Sequence, residues 1–206
     1  MNSNLPYQYL EKHNIKYLYH MTAINNLPSI LQHGLLSHNE AHRLSLVTDI
    51  SDSTVQSLRS NRKIDNIELH DYVPLYFSPR NPMLYVRREI QHQIVILGVD
   101  PCLLFESTTI FSDGNAAAIE TKFYRGVSLL DNLPWDIINA VYWNDIPDGK
   151  RIKCAEILVY PKIDIKNILK IFCYSLSQVE EVRAIIDSLS RDVNIVVERN
   201  RILYFS

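Results

Sequence analysis

A histidine and a glutamate stand where short strands end or begin, a setting that can aim a side chain at a ligand. His20 closes the stretch Lys16–Tyr19, which reads as a strand, and Thr22 and a helix start follow it. A strand end fixes an imidazole, and the next helix offers free backbone amides. The plainer reading is a buried histidine bonded to backbone. Glu156 opens the apolar run Glu156–Tyr160, after the turn-rich loop NDIPDGKRIKC. There a carboxylate can steady a developing cation; it can equally be an edge-strand charge facing solvent. Arg59, Arg62 and Lys63 form a basic cluster, and Lys150, Arg151 and Lys153 a second. Both read first as solvated charged faces. Arg80, Arg87 and Arg88 interleave with Tyr76, Phe77 and Tyr85, a mixture that suits single-stranded nucleic acid, with cations on phosphates and rings on bases. His33, His38 and His42 precede the adjacent pair His70 and Asp71. Neighbours on a strand point to opposite faces, and HExxH is absent, so no metal site is expected.

The elements that must hold these residues are short and mixed. Asn25–Gln32 reads as a helix, with Pro28 in its first turn and Gly34 just past its end. Leu44–Asp71 reads as a loop or loop-helix segment. Tyr72–Phe77 is β-like, with Pro74 expected to keep it off the middle of a sheet. Ile94–Val99 is an apolar run of strand length. Asp113–Asn115 marks a turn, with a helix expected over Ala116–Phe123 and another over Pro134–Val141. Ile171–Tyr174 reads as a strand. Ser177 and Glu180 form a capping-box pattern before Val179, Val182, Ile185, Ile186 and Leu189 at helical spacing. Asn194–Val197 and Ile202–Phe205 suit a terminal hairpin. Strands and helices mix without βαβ alternation, so the class is α+β.

Composition narrows the function. The 206 residues predict a single domain, 1–206, and 47% hydrophobic content supports a real core. A net charge of −2 argues against gripping nucleic acid by bulk charge, though not against a local basic groove. Cys102, Cys154 and Cys173 form no CxxC pair, so neither disulfides nor zinc are implied. Phosphate-binding glycine loops are absent. No apolar run reaches the ~20 residues of a membrane span, and the N-terminus lacks a signal-peptide pattern. A reduced, cytoplasmic protein is expected, with a monomer as the default.

Longer segments carry a resemblance. YLYHMTAINNLPSILQHGLLS (17–37), LHDYVPLYFSPRNPMLY (69–85) and KCAEILVYPKI (153–163) resemble, in order, three motifs of the DarT family of DNA ADP-ribosyltransferase toxins. The resemblance implies an ADP-ribosyltransferase fold, a split and mainly antiparallel sheet with short helices, that takes NAD as co-substrate without a metal. It implies transfer of ADP-ribose to single-stranded DNA, and the HDYVPLYF segment points to the thymidine branch and attack by N3. Guanosine, RNA or protein acceptors, or an idle nucleic-acid-binding module, are the alternatives. By the same resemblance Glu156 is the catalytic glutamate, and Arg59, ahead of Arg62 by spacing, acts on the acceptor base. His20, Met21, Thr22, Ser29, Arg59, Tyr76 and Met83 would hold NAD, Met21 and Thr22 largely through backbone. Arg80, Asn144, Lys150 and Arg151 would touch DNA, within or beside a substrate loop over Ile119–Ala155. A DarG-type macrodomain antitoxin is the implied partner.

These residue types suit the reaction. Leaving of nicotinamide builds positive charge on the ribose, and an ionised carboxylate stabilises that charge more than it stabilises the neutral sugar. A histidine fixing the ribose works by positioning. Arginine stays protonated in proteins, so Arg59 is read as an electrostatic stabiliser of thyminate rather than a literal base. Single-stranded substrate follows because N3 is engaged in pairing within a duplex.

Overall fold

The computed structural model describes residues 5–46, 48, 53–189 and 193–205. The first half contains α1 (Leu5–Lys12), β1 (Leu18–Ala23), α2 (Leu27–His33), α3 (His38–Arg43), α4 (Ser53–Ser60), β2 (Val73–Tyr76), α5 (Pro82–Val86) and β3 (Ile94–Val99). The second contains β4 (Ile110–Ser112), β5 (Phe123–Tyr124), α6 (Trp135–Ile138), α7 (Gly149–Lys153), β6 (Glu156–Val159), β7 (Ile168–Cys173), α8 (Leu176–Asp187) and β8 (Val196–Arg199). These strands form one sheet in the order β8-β7-β3-β1-β2-β6-β4-β5. Its ladders are antiparallel except β7 with β8. The α+β class and the antiparallel sheet with short helices are as expected.

β3 is buried along its whole length, which is why it reads as an unbroken apolar run rather than an alternating one. Its Val95, Leu97 and Val99 join Leu27, Ile30 and Leu31 of α2 and Val179 and Val182 of α8 in the main core. Ile94 and Ile96 face the other way, into a cluster with Met21, Phe172, Tyr204 and Phe205. At the end of α2, Gly34 has φ of +82°, and a Cβ there would collide with the Ile163 carbonyl.

Several local expectations are corrected. Strand β1 starts later and carries His20 in its interior. Pro74 sits in the fifth strand of eight. The Phe77 N–H donates to the Ala155 carbonyl at 3.5 Å, so ladder alternation turns the backbone of residues 73, 75 and 77 toward β6 and that of 74 and 76 toward β1. β1 and β2 pair only at Tyr19 with Tyr76. The proline nitrogen therefore falls where the sheet has already parted. The segment Leu44–Asp71 contains α4 and a two-stranded ribbon, Lys63–Ile64 with Ile67–Glu68. Its residues 47 and 49–52 lie outside the described set.

Ala116–Phe123 is not helical. Asn115 draws its amides into a turn, its side chain accepting from the Ala117 N–H at 2.9 Å. Pro134–Val141 yields only the short α6. The last helix is capped by Ser175 rather than Ser177, its side chain accepting from the Gln178 N–H. The terminal hairpin does not form. β8 pairs in parallel with β7, and the tail folds inward, with the Tyr204 hydroxyl donating to the Phe172 carbonyl at 2.7 Å. Among the described residues, no helix is long and apolar enough to cross a membrane.

Candidate active site

The parting of β1 from β2 opens a cavity of about 360 Å³, within the range of small-ligand sites. His20, Met21 and Thr22 line it from β1, Pro74 and Tyr76 from β2, and Pro82 and Met83 from α5. Arg59, in the last turn of α4, lines it as well. Asn26 fastens the approach: its amide donates to the Thr22 hydroxyl and to the Thr48 carbonyl, both at 2.9 Å, and its oxygen accepts from the Thr48 N–H at 2.6 Å.

One row of residues crosses the opening. Tyr19 is opposite Tyr76, and Tyr76 is opposite Glu156. Two strand spacings, about 10 Å, thus separate β1 from the carboxylate-bearing position of β6. Glu156 is not a solvent-facing edge charge but is 1% exposed. Its Oε2 accepts from Arg59 Nη1 at 2.8 Å and its Oε1 from the Ala116 N–H at 2.7 Å. Its own N–H donates to the Ser112 hydroxyl at 3.0 Å, which donates onward to the Gly114 carbonyl at 2.6 Å. The carboxylate is held from both ends, with Arg59 between it and the cavity. A paired buried charge of this kind is costly to disturb on either side.

His20 Nδ1 lies 2.9 Å from the Pro74 carbonyl. A carbonyl only accepts, so Nδ1 carries the proton and Nε2 of the neutral ring is an acceptor. Burial pushes the imidazole below its ordinary value, against the opposing pull of the Pro74 bond, which keeps that acceptor available. The ladder phase also turns the Met21 amide and carbonyl toward the opening. Burial, with the Glu156 charge beside it, pushes the Tyr76 hydroxyl well above its ordinary range, so it remains a donor. Burial likewise pushes the Cys154 thiol up to about 12, so this cavity-lining sulfur is no nucleophile.

The sequence matches the family described as ssDNA thymidine ADP-ribosyltransferase, DarT, over residues 19–205. The chain belongs to the DarT family. Family membership makes it an NAD-dependent ADP-ribosyltransferase, and the match continues well past Asp164, where the motif resemblance stops. It is 34% identical over 187 residues to a DNA ADP-ribosyl transferase of Thermus sp. (strain 2.9), covering 82% of this chain and 86% of that one. The fold superposes on Thermus sp. 2.9 DarT in complex with ADP-ribosylated ssDNA with a TM-score of 0.82 at 30% identity, covering 93% of this chain and 97% of that chain. The same protein in complex with NAD+ gives 0.75 at 30% identity, covering 93% and 98%. A fusion of DNA ADP-ribosyl transferase and DNA ADP-ribosyl glycohydrolase from Thermosipho africanus is 36% identical over 163 residues, covering 75% of this chain and 42% of the fusion.

In this DarT chain the expected NAD set gathers at one place, with one exception: Ser29 is half-buried on α2 and is not among the residues lining the cavity. Arg62 is separated from Arg59 by its bonds to the carbonyls of Ala118 and Thr121 and by its place over the Phe123 ring, 5.0 Å away. None of the four expected DNA contacts is among the residues that line the cavity. Arg80 is half-buried with its guanidinium 5.0 Å over Phe205, and Asn144 and Lys150 are exposed. Arg151 is bound to Asp113 at 2.8 Å and Asp148 at 2.7 Å, an engagement that a free phosphate-binding cation would not have. Lys153 is buried, its Nζ donating to the carbonyls of Ile138 and Ala140 at 2.7 Å each.

Sequence reasoning missed Asn26, Asn115 and the Ala116 amide. The first two carry no type signal, and a backbone amide carries none at all. Arg87 also lines the cavity, and its place in the aromatic-basic run was the available hint. His38 and His70 line it too, with rings 4.2 Å apart. His70 and Asp71 lie on a 3-10 turn, not a strand. Among the described residues, no group of three histidine, cysteine, aspartate or glutamate side chains could hold a metal ion.

Proposed function

We propose that this protein transfers ADP-ribose from NAD to N3 of thymidine in single-stranded DNA, as a cytoplasmic toxin restrained by a DarG-type macrodomain partner. The observation that carries the reading is the buried Arg59–Glu156 pair, whose arginine lines the same cavity as His20. The thymidine assignment is supported by the description of the matching family. The glycohydrolase fused to the Thermosipho relative supports the partner.

In the reaction the bond from ribose C1′ to the nicotinamide nitrogen breaks, and its electron pair leaves with neutral nicotinamide. Neutral His20 accepts from a ribose hydroxyl through Nε2 and fixes the sugar face presented to the nucleophile. The Met21 amide and carbonyl, turned into the opening, suit the carboxamide of nicotinamide. Glu156 accepts from the 2′-hydroxyl and stabilises the cationic sugar as charge develops. Arg59 turns from the carboxylate toward the acceptor base and stabilises the thyminate, whose proton passes to water. The new bond joins N3 to C1′.

Mass spectrometry of short oligonucleotides, each containing a single base type, after incubation with enzyme and NAD tests this reading. A mass gain of one ADP-ribose is expected on thymidine strands alone. Labelled guanosine strands would redirect the acceptor, and unlabelled DNA beside labelled protein or RNA would overturn the reading.

A further inference from the structure

Glu156 is held by two donors of different kinds. Its Oε2 accepts from Arg59 Nη1 at 2.8 Å, and its Oε1 accepts from the Ala116 N–H at 2.7 Å. In the transfer proposed above, Arg59 turns toward the acceptor base. Of these two bonds the carboxylate then keeps the one to a backbone amide, in the turn between β4 and β5. An amide is aimed by the turn that carries it, so whatever fixes this turn decides where the carboxylate points.

The turn is closed from inside and clasped from outside. Inside, the Asn115 carbonyl accepts from the Ala118 N–H at 3.0 Å and from the Thr121 hydroxyl at 2.7 Å. Outside, Arg62 bridges it: Nη1 donates to the Ala118 carbonyl, and Nη2 to the Thr121 carbonyl at 3.3 Å. A rigid planar fork on two carbonyls fixes orientation as well as distance. Arg62 is itself anchored. Its N–H donates to the Arg59 carbonyl at 3.1 Å, and its carbonyl accepts from the Leu69 N–H at 2.8 Å. Arg59 ends α4 and Arg62 lies just past it; the first reaches the carboxylate directly, the second through the turn. The charges of Glu156 and Glu120 oppose the burial that pulls the Arg62 guanidinium below its ordinary value, which puts Arg62 in the field of the same carboxylate. Arg62 is not among the residues that line the cavity.

We infer that Arg62 is a positioning residue for Glu156: by clasping the turn over residues 115–121 it keeps the Ala116 amide on the carboxylate while Arg59 is engaged with the base. The inference rests on the base-transfer reading above. It gives the two neighbouring arginines separate tasks, one that moves and one that stays.

Arg62→Met removes both donors, and Arg62→Lys keeps a cation that can serve one carbonyl. The test follows labelling of single-stranded DNA over a range of NAD concentrations. In Arg62→Met, kcat is expected to fall by about tenfold or more, toward the roughly 10²-fold that a 1 Å misplacement costs. KM for NAD stays within about twofold of wild type, since the cavity lining is untouched. Arg62→Lys recovers part of the loss. Thr121→Val, which removes the hydroxyl closing the turn and leaves Arg62 in place, lowers kcat in the same way. In a Glu156→Gln background Arg62→Met adds no further loss, because the charge it positions is gone. A raised KM with kcat unchanged, a lysine variant no better than the methionine one, or penalties that multiply in the double variant overturns the inference. So does a salt slope of strand binding shallower by about 0.7 in Arg62→Met, which would make Arg62 a phosphate contact. Should Arg62→Met not fold, Arg62→Lys and Thr121→Val carry the same criteria, and wild-type kcat in both overturns the inference. Labelling by Glu156→Gln at the wild-type rate sinks the base-transfer reading itself, a result distinct from all of these.

Discussion

Glu156→Gln keeps the volume of the side chain and removes its charge, which separates what the carboxylate does for the reaction from what it does for the fold. In the native protein both oxygens accept, one from Arg59 Nη1 at 2.8 Å and one from the Ala116 N–H at 2.7 Å. A carboxamide has one oxygen, so one of these donors must face an NH₂ group. Arg59, 7% exposed, keeps its charge without a counter-ion. Breaking a buried pair costs about 3–5 kcal/mol, and the surviving hydrogen bond puts this change near 3. At roughly 2–4 °C per kcal/mol for a chain of this size, the midpoint falls by about 6–12 °C. Initial rates of single-stranded DNA labelling at saturating NAD should fall about 10²–10³-fold. Adding Arg59→Met removes the stranded charge, so the double variant should recover most of the stability and none of the rate. Labelling by Glu156→Gln within threefold of wild type refutes the catalytic reasoning. A rate restored by Arg59→Met refutes the division between the two roles.

Other outcomes follow from the same geometry. Because burial depresses the His20 imidazole below 6.5, the acid limb of kcat/KM for NAD should lie below that pH and vanish in His20→Asn; a limb that survives the substitution removes His20 from the sugar site. The sign for stability is fixed too: as pH drops below 6.5 the unfolded chain takes up the proton first, so wild type should lose stability relative to His20→Asn in denaturant titrations. Arg151→Met should cost about 1.5–3 kcal/mol through its bond to Asp113 while leaving the salt slope of DNA binding unchanged; a shallower slope would return Arg151 to the DNA interface. Burial, with Arg80 nearby, pulls Lys153 down to about 8 from its ordinary 10.5. Between those values only the unfolded chain carries the proton, so wild type should gain stability over Lys153→Met as pH rises from 8 to 10.5, and a flat difference argues that the amine is solvated.

How much of this was legible depended on whether the deciding contact was local. Ile94–Val99 was readable because a strand covered on both faces needs only apolar residues in succession. Glu156 at the head of its strand was readable by position, and the motif segments around His20, Tyr76 and Glu156 pointed to their convergence. Pro74 was misjudged because the rule against proline presumes two bonded neighbours, whereas β1 has already diverged there. Ser175 and Ser177 are equivalent as caps by type. What distinguishes them is Gln178, which accepts from the Tyr174 N–H at 2.7 Å and donates to the His92 carbonyl at 2.5 Å. Arg151 looked like surface charge because its partner Asp113 stands 38 residues away in the chain. The terminal hairpin failed for the same kind of reason, since the Tyr204 hydroxyl finds its acceptor on Phe172.

The lone Tyr19–Tyr76 pairing has an energetic corollary. A seamless sheet spends its backbone donors and acceptors on itself, while this one leaves some of them unspent along its central seam. In the proposed site a bound dinucleotide would take the role of the missing neighbour, which would tie NAD affinity to cohesion between the two half-sheets. At a hundredfold excess over its dissociation constant, a ligand adds about 2.7 kcal/mol to the folded state. On that reading, the durability of this enzyme would follow the supply of the molecule it consumes.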